Sequence, residues 1–134
     1  MRYLSFHTEL FFSDIPDNQI GKWFIGGDCA GWIYARLLPL DGVTRNIEPV
    51  MEDWGWFMSV NISEVLVTFS IWENLAHSDG WIIGVDVSKN SFRRLSADRK
   101  EEVSSLAEEY LSAIVDVSSH FSDLCWSDVH PNEA

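Results

Sequence analysis

Three consecutive runs of alternating residues constrain the fold more than any other feature of this sequence. Apolar side chains recur at every second position in residues 56–62, 65–71 and 81–87, and this period is typical of β-strands with one buried face. The connections between the runs are too short for the crossover that parallel strands need. Asp79-Gly80 supplies a turn signal before the third run. The sequence therefore predicts an antiparallel meander.

A first helix is predicted upstream of the meander. Asp28 is a suitable N-cap residue. Cys29, Ile33 and Leu37 then recur every four residues, which places them on one face of a helix. Pro39 is predicted to end the helix, because proline cannot continue it.

A second helix is predicted to begin at Ser96, a favourable N-cap residue that is followed by acids near the positive end of the helix dipole. Its apolar residues recur at helical spacing over four turns, which indicates a face that packs on the sheet. The predicted apolar face consists of Val103, Leu106, Tyr110, Ile114 and Val117.

Short strands complete the predicted fold at both ends of the chain. Residues 3–9 alternate like a half-buried strand, residues 13–21 have the composition of a loop, and residues 121–125 form a last short strand. The resulting order, β-α-β-β-β-α-β, predicts a single α+β domain over residues 1–134. We expect an antiparallel sheet of four to five strands with two helices packed on one face.

The net charge of the chain indicates which classes of partner it can bind. Twenty-one acids against nine bases give a formal net charge of −12, and residues 101–134 contain eight acids and no base. Such a surface is repelled by nucleic acid and by anionic membranes, so neither is predicted as a partner. The basic residues within 89–100 form a cluster too short and isolated to bind nucleic acid. A basic protein is the predicted partner.

The N-terminus and the cysteines indicate the cellular compartment of the protein. The first residues lack the long apolar core and the cleavage site of a signal peptide. No apolar run approaches the roughly 18–20 residues of a membrane-spanning helix. Cys29 and Cys125 are far apart in sequence, which is typical of free thiols in a reducing cytoplasm, with a disulfide as the alternative. The sequence predicts a cytoplasmic protein.

The second predicted helix carries the sharpest charge pattern. At about 100° per residue its acids share one stripe that faces away from the predicted apolar face. A solvated helix face needs only polar residues, whereas a stripe without lysine or arginine loses favourable i,i+4 pairs. The stripe is therefore a candidate surface for a positively charged partner. Its residues are Glu101, Glu102, Glu108, Glu109 and Asp116.

A second candidate surface lies in residues 48–57, EPVMEDWGWF. Neighbouring side chains on a strand point to opposite faces, so Glu52 and Asp53 do not form a catalytic pair around one substrate. The stretch is interpreted as a turn in which Gly55 supplies positive φ or a close approach. This turn delivers Trp56 into the core and leaves the preceding tryptophan on the opposite, exposed side. The candidate binding residues are Glu52, Asp53, Trp54 and, farther along the chain, Trp72.

Signals of catalysis are sparse. The four histidines show no zinc-ligand spacing, and the chain lacks a Walker loop and a GxGxxG motif. Cys29 would lie in the first turn of a helix, where the dipole can lower the pKa of a thiol. No histidine lies near it in sequence to act as a base, so Cys29 is interpreted as a packing residue. No cofactor, metal or catalytic residue is predicted.

Two short motifs carry a resemblance to known proteins. Residues 27–32, GDCAGW, open a helix, and residues 48–56, EPVMEDWGW, enter a strand. Together they resemble a group of small uncharacterised bacterial cytoplasmic proteins. Some of that group are similar to immunity proteins of contact-dependent toxin systems in size, acidity and α+β character. The resemblance implies a bacterial origin and a protein-binding role, and it assigns no catalytic residue.

The leading hypothesis is an acidic, non-enzymatic module that binds a basic toxin or effector protein. The acidic stripe would steer the encounter, and Trp54 or Trp72 would anchor it. Two alternatives stay open. A small-molecule enzyme or ligand-binding domain would use a pocket between the first helix and the sheet, with Glu52, Asp53, Trp54 and His7. A nucleic-acid mimic would use the same negative charge to block a DNA- or RNA-binding protein.

Overall fold

The three alternating runs form adjacent strands in the structure, a computed structural model that describes residues 1–11, 27–77, 79–87 and 95–133. The predicted loop at 13–21 lies outside the described residues. The described elements, in chain order, are β1 (Arg2–Thr8), α1 (Gly27–Leu37), β2 (Val43–Glu52), β3 (Gly55–Ile62), β4 (Val65–Glu73), β5 (Gly80–Val87), α2 (Ala97–Asp116), β6 (Phe121–Ser127) and a 3-10 turn (Pro131–Glu133).

The six described strands form one antiparallel sheet in the order β2-β3-β4-β5-β1-β6. The α+β class and the antiparallel meander are confirmed. The predicted count of four to five strands is wrong, because β2 was not recognised as a strand. β2 is an edge strand that is exposed along most of its length and contains Pro49. It therefore lacks the alternation that marks the central strands.

The register of the meander places its apolar side chains on one face of the sheet. Val60 lies opposite Val67, and Phe69 lies opposite Val85. Directly opposed residues in antiparallel strands share a face, so each run contributes to the same core. Leu4 of β1 is fully buried on this face as well. The predicted period of two is confirmed in all three runs.

Both described α-helices pack on this apolar face. Cys29, Ile33 and Leu37 of α1 are fully buried, as their spacing predicts, and they share one hydrophobic cluster with the buried residues of α2 and the strands. Asp28 lies inside the first turn, because α1 already begins at Gly27. Neither of these helices is both long and apolar enough to cross a bilayer.

The N-terminus of α2 is confirmed, but its predicted apolar face is rotated from the buried one. Ser96 is the N-cap residue, and its hydroxyl accepts a hydrogen bond from the N–H of Arg99 at 3.1 Å. The residues that α2 buries are Val103, Ala107, Leu111, Ile114 and Val115. Val117 was predicted to be buried, yet it is the C-cap residue and is 85% exposed. Apolar residues of α2 occur over a wider arc than the face that is buried, and the sheet covers the part with Ala107, Leu111 and Val115, whereas Leu106 and Tyr110 are only partly buried.

The other face of the sheet carries no helix in the described part of the chain, but it is not uniformly polar. Ile82 is fully buried there and lies outside the main hydrophobic cluster. It is paired with Ser5 on one side and Trp72 on the other. We call this surface the outer face, and it holds the aromatic residues described next.

Candidate functional site

Residues 53–54 form the turn between β2 and β3, as the sequence predicts. The turn requires Gly55. Its φ is +155°, and a Cβ at this position would lie 2.3 Å from the carbonyl oxygen of Ile71. No larger residue fits so close to the backbone of β4. Trp56 then points toward the core, where it is partly buried. We call residues 52–54 the β2–β3 corner.

Trp54 rests on a second tryptophan at the outer face. The ring centroids of Trp54 and Trp72 are 5.2 Å apart, and Trp54 is 47% exposed. Trp72 in turn lies close to the backbone of β5, because a Cβ at Gly84 would lie 2.8 Å from its ring. A glycine inside an otherwise alternating strand is a recognisable sign of such a close approach. Sequence reasoning did not use this sign.

Residues from both ends of the described chain hold Trp72 in place. Its ring centroid lies 4.5 Å from that of His130 and 6.1 Å from that of Tyr3. Asn132 ties the C-terminal segment to the sheet, since its amide donates to the carbonyl oxygen of Glu73 and accepts from the N–H of Leu75, both at 2.9 Å. The aromatic stack under Trp54 is therefore fixed by contacts from three elements.

The carboxylates of the corner are exposed. Glu52 and Asp53 are exposed and form no ion pair among the described residues. Three large apolar side chains of the edge strand β2 are also exposed. They are Ile47, Val50 and Met51. The corner itself holds a half-exposed tryptophan next to two exposed carboxylates that are unpaired among the described residues. An aromatic centre with a polar rim is typical of protein contacts.

The edge strand itself is protected against the addition of another strand. Its register shifts on both sides of Ile47, and Pro49 offers no N–H. The hydroxyl of Ser59 accepts from the N–H of Ile47 at 3.3 Å, and the hydroxyl of Tyr34 accepts from the N–H of Asn46 at 3.4 Å. These backbone donors are therefore satisfied within the chain. The register shifts and the proline are features that hinder the addition of another strand to this edge.

The acidic stripe of α2 is only partly available. Glu101, Glu109 and Asp116 are exposed and form no ion pair among the described residues. Glu108 is half-buried, because at about 280° on the helical wheel it borders the buried face. It accepts a hydrogen bond from Nε of Arg2 at 3.0 Å.

Two arginines neutralise part of the stripe. Nη1 of Arg99 lies 3.1 Å from Oε1 of Glu102, so the two side chains form an ion pair. Arg2 bonds Asp128 at 2.8 Å as well as Glu108, and these two carboxylates raise the pKa of Arg2. Lys89, Arg93 and Arg94 lie outside the described residues. The stripe is on the helical side of the sheet, whereas Trp54 and Trp72 are on the outer face. The two predicted surfaces therefore do not form one continuous site.

A polar cleft of about 420 Å³ lies at another end of the sheet. Its lining residues are His7, Thr8, Glu9, Asp79, Ser119, His120, Ser122 and Asp123. His7 is separated from β3 by β4 and β5, so the structure does not bring it together with Glu52, Asp53 or Trp54. The space between α1 and the sheet, where a pocket was expected, holds fully buried apolar side chains.

The two cysteines differ in their surroundings. Cys29 is completely buried, and this burial, with a smaller contribution from Asp28, raises its pKa well above the ordinary value. A thiol in this state is a poor nucleophile, which agrees with its interpretation as a packing residue. Cys125 is exposed, and both are free thiols. Among the described residues, no group of three or more His, Cys, Asp or Glu side chains is placed to hold a metal ion.

No protein-family model, curated protein or solved structure matches this chain. The site must therefore be judged by its own geometry. Of the nine predicted binding residues, the structure brings together Glu52, Asp53, Trp54 and Trp72 and leaves the five acids of α2 on a separate surface. The residues that sequence reasoning missed are those that support Trp72: Tyr3, Gly84, His130 and Asn132.

Proposed function

We propose that this chain is an acidic, non-enzymatic module that binds a basic protein in the cytoplasm, in the manner of an immunity protein that neutralises a toxin or effector. The formal net charge of −12 supports a basic partner. The free state of both cysteines supports a reducing compartment. The resemblance of residues 27–32 and 48–56 to small uncharacterised bacterial proteins, some of them similar to immunity proteins, supports the class of partner.

One observation carries the proposal. Trp54 is half exposed, and its ring is fixed on Trp72. The two residues that precede it, Glu52 and Asp53, are exposed and have no ion pair within the part of the chain that the structure describes. Tryptophan is among the residues that most often dominate binding energy, because a large rigid ring buries much area with little loss of rotational freedom. The corner is therefore the proposed contact.

The acids of α2 have a different role in this proposal. Glu101, Glu109 and Asp116 are exposed on the opposite side of the molecule from Trp54. Charges outside the contact act through the electrostatic field of the whole protein. They raise the rate at which a partner associates more than they stabilise the complex. The stripe would attract a basic partner, and the corner would hold it.

The polar cleft at His7 supports a second candidate function, the binding of a small polar ligand. Its volume lies within the range of ligand pockets, about 300–1,000 Å³. Its lining is polar or charged throughout, however, whereas ligand pockets are usually lined by apolar and aromatic side chains. We rank this function below protein binding for that reason.

Capture of the partner tests the proposal. The parent chain and a corner variant, with Glu52→Gln, Asp53→Asn and Trp54→Ala together, are immobilised and exposed to an extract of the source cell at low salt. We expect the parent to retain a basic protein that the corner variant loses. Val117→Ala is the matched control, because it truncates an exposed apolar side chain on the helical side. If the parent and the corner variant retain the same proteins, the proposal fails. A retained nucleic-acid-binding protein would favour the mimic.

A further inference from the structure

Arginine side chains cover aromatic rings at three places in the described structure. The guanidinium carbon of Arg36 lies 3.5 Å from the ring centroid of Trp32. That of Arg2 lies 5.7 Å from Trp126, and that of Arg45 lies 6.0 Å from Tyr34. Each distance is within the range of a cation–π contact, about 6 Å. The chain therefore uses one repeated arrangement to cover its aromatic rings.

Two of these arginines are also held by carboxylates. Arg2 bonds Glu108 at 3.0 Å and Asp128 at 2.8 Å, and Arg45 forms an ion pair with Glu48. The flat guanidinium group can face a ring and donate from its edge to a carboxylate at the same time. The repeated arrangement thus has three parts, which are a ring, an arginine and an acid.

The β2–β3 corner has two of the three parts. Trp54 is the ring, and Glu52 and Asp53 are exposed acids next to it in the chain. Glu52 ends β2 and Asp53 lies in the turn, so the alternation that points neighbouring strand side chains to opposite faces does not extend to this pair. Among the described residues no arginine or lysine contacts the Trp54 ring. One neighbouring ring, that of Trp72, supports it. The missing part is the cation.

We infer that an arginine side chain of the partner protein occupies the corner, with its guanidinium group against the Trp54 ring and its N–H groups donating to Glu52 and Asp53. This inference rests on the proposed function and names the chemistry of its central contact. Arginine fits better than lysine because its planar group stacks on a ring and is more weakly hydrated. The stack on Trp72 and the close approach at Gly84 fix the ring before binding, so less entropy is lost.

Peptides of one sequence test the inference. Each carries two arginines, two lysines or two citrullines, and each is titrated into the ¹⁵N-labelled chain while the indole N–H signals of the tryptophans are followed. The signal of Trp54 is assigned by its loss in Trp54→Leu. We expect the arginine peptide to shift it saturably and to bind at least about threefold tighter than the lysine peptide, as an exposed cation–π contact allows. Citrulline lacks the charge and should cause no saturable shift.

Three variants locate the contact. Trp54→Leu and Trp54→Phe lack the Trp54 signal, so their binding is followed by the indole N–H signal of Trp72, the ring in contact with residue 54. Trp54→Leu should abolish the preference for arginine, Trp54→Phe should retain part of it, and Glu52→Gln with Asp53→Asn should weaken binding by about threefold. A variant with Glu101→Gln, Glu109→Gln and Asp116→Asn is the control, and it should leave the shift of Trp54 unchanged. Thermal melting of each variant establishes that it is folded.

The inference is overturned if lysine or citrulline peptides shift the Trp54 signal as strongly as arginine peptides do, or if Trp54→Leu keeps the preference. Such a result leaves the proposed function intact when Glu52→Gln, Asp53→Asn and Trp54→Ala together still release the captured protein. If that triple variant retains the same proteins as the parent, the proposed function itself fails. The two failures are therefore distinguishable.

Discussion

The acidic face of α2 and the β2–β3 corner are both rich in carboxylates, but the structure makes them different surfaces. On α2, Arg2 and Arg99 pair with Glu108 and Glu102. At the corner, Glu52 and Asp53 are exposed without ion pairs among the described residues, beside a half-exposed tryptophan. Negative charge alone does not mark a contact, because charged groups at the rim of an interface change the association rate more than the affinity.

The two surfaces also differ in the distance over which they act on a partner. Charges on a solvated helix act over about one Debye length, roughly 10 Å at 0.1 M salt. An aromatic ring acts only on contact, when water leaves both surfaces. We therefore expect α2 to influence how fast a partner arrives and the corner to influence how long it stays.

The strongest test of the corner is the substitution Gly55→Val. The new Cβ would lie 2.3 Å from the carbonyl oxygen of Ile71, so β3 and β4 must separate. We expect the free energy of unfolding to fall by more than about 3 kcal/mol, measured by denaturant titration. Gly31→Ala is the control, because Gly31 is exposed in α1 and a Cβ there meets nothing within 4 Å.

Gly31→Ala should raise the stability by about 1 kcal/mol through helix propensity. If Gly55→Val unfolds at the same denaturant concentration as the parent, Gly55 has no special backbone role, and the corner is not built by this turn.

The two tryptophans that flank Gly55 should respond differently to truncation. Trp56 packs against the core, and a Cβ at Gly27 would lie 2.7 Å from its ring. Trp56→Ala should cost about 3 kcal/mol of stability, the lower end of the range for a large aromatic. Trp54→Ala should cost less than about 1.5 kcal/mol, because half of its surface is already in water. Equal losses for the two variants would mean that Trp54 is a structural residue and not a free contact.

Charge removal on the two surfaces should act on different rate constants. Glu101→Gln, Glu109→Gln and Asp116→Asn together should slow association with the captured partner about tenfold at low salt. The effect should shrink near 0.5 M salt, where the Debye length is only about 4 Å. Glu52→Gln with Asp53→Asn should mainly speed dissociation. Glu108 is kept in both variants, because it bonds Arg2.

Stopped-flow and surface-binding measurements across a salt series give both constants. If the α2 variant associates at the parent's rate at every salt concentration, the stripe is only a solvated helix face. If the corner variant alters association alone, the two surfaces do not divide the roles.

The smallest expected effect concerns the thiols on the two sides of the sheet. Cys29 is buried on the helical side, where burial raises its pKa, and Cys125 is exposed. A raised pKa in the folded state means that the thiol's contribution to stability is complete below the unfolded pKa of about 8.5 and is lost as the pH rises beyond it. The free energy of unfolding should therefore fall more steeply above pH 8.5 in the parent than in Cys29→Ala.

A thiol reagent gives the companion measurement. Cys125 should react at once in the folded chain, and Cys29 should react only when the chain unfolds. Parallel pH curves for the parent and Cys29→Ala, or rapid labelling of two thiols per chain, would show that the helical side is more open than the structure indicates.

Local patterns in the sequence were sufficient to predict the strands and the helix that have one face toward the core and one face away from it. The alternating runs of β3, β4 and β5 and the four-residue spacing of Cys29, Ile33 and Leu37 follow from apolar residues that repeat at the period of the element. The cap at Ser96 and the turn at Gly55 were predicted from single residues, because a serine hydroxyl can accept from a free helix N–H and a glycine allows a close backbone approach.

Tertiary structure decided the features that leave no periodic pattern in the sequence. β2 became a strand through its pairing with β3, although Pro49 and exposed residues give it no alternation. The buried face of α2 turned toward Ala107 and Leu111 because the sheet, and not the apolar pattern, selects which residues fit. The pairing of Glu108 with Arg2 and the stacking of Trp54 on Trp72 join residues far apart in the chain. The sequence by itself therefore determined the helices, the central strands and the negative charge. Packing between distant strands decided which of the described carboxylates are paired and placed an exposed ring at the corner where two of them are not.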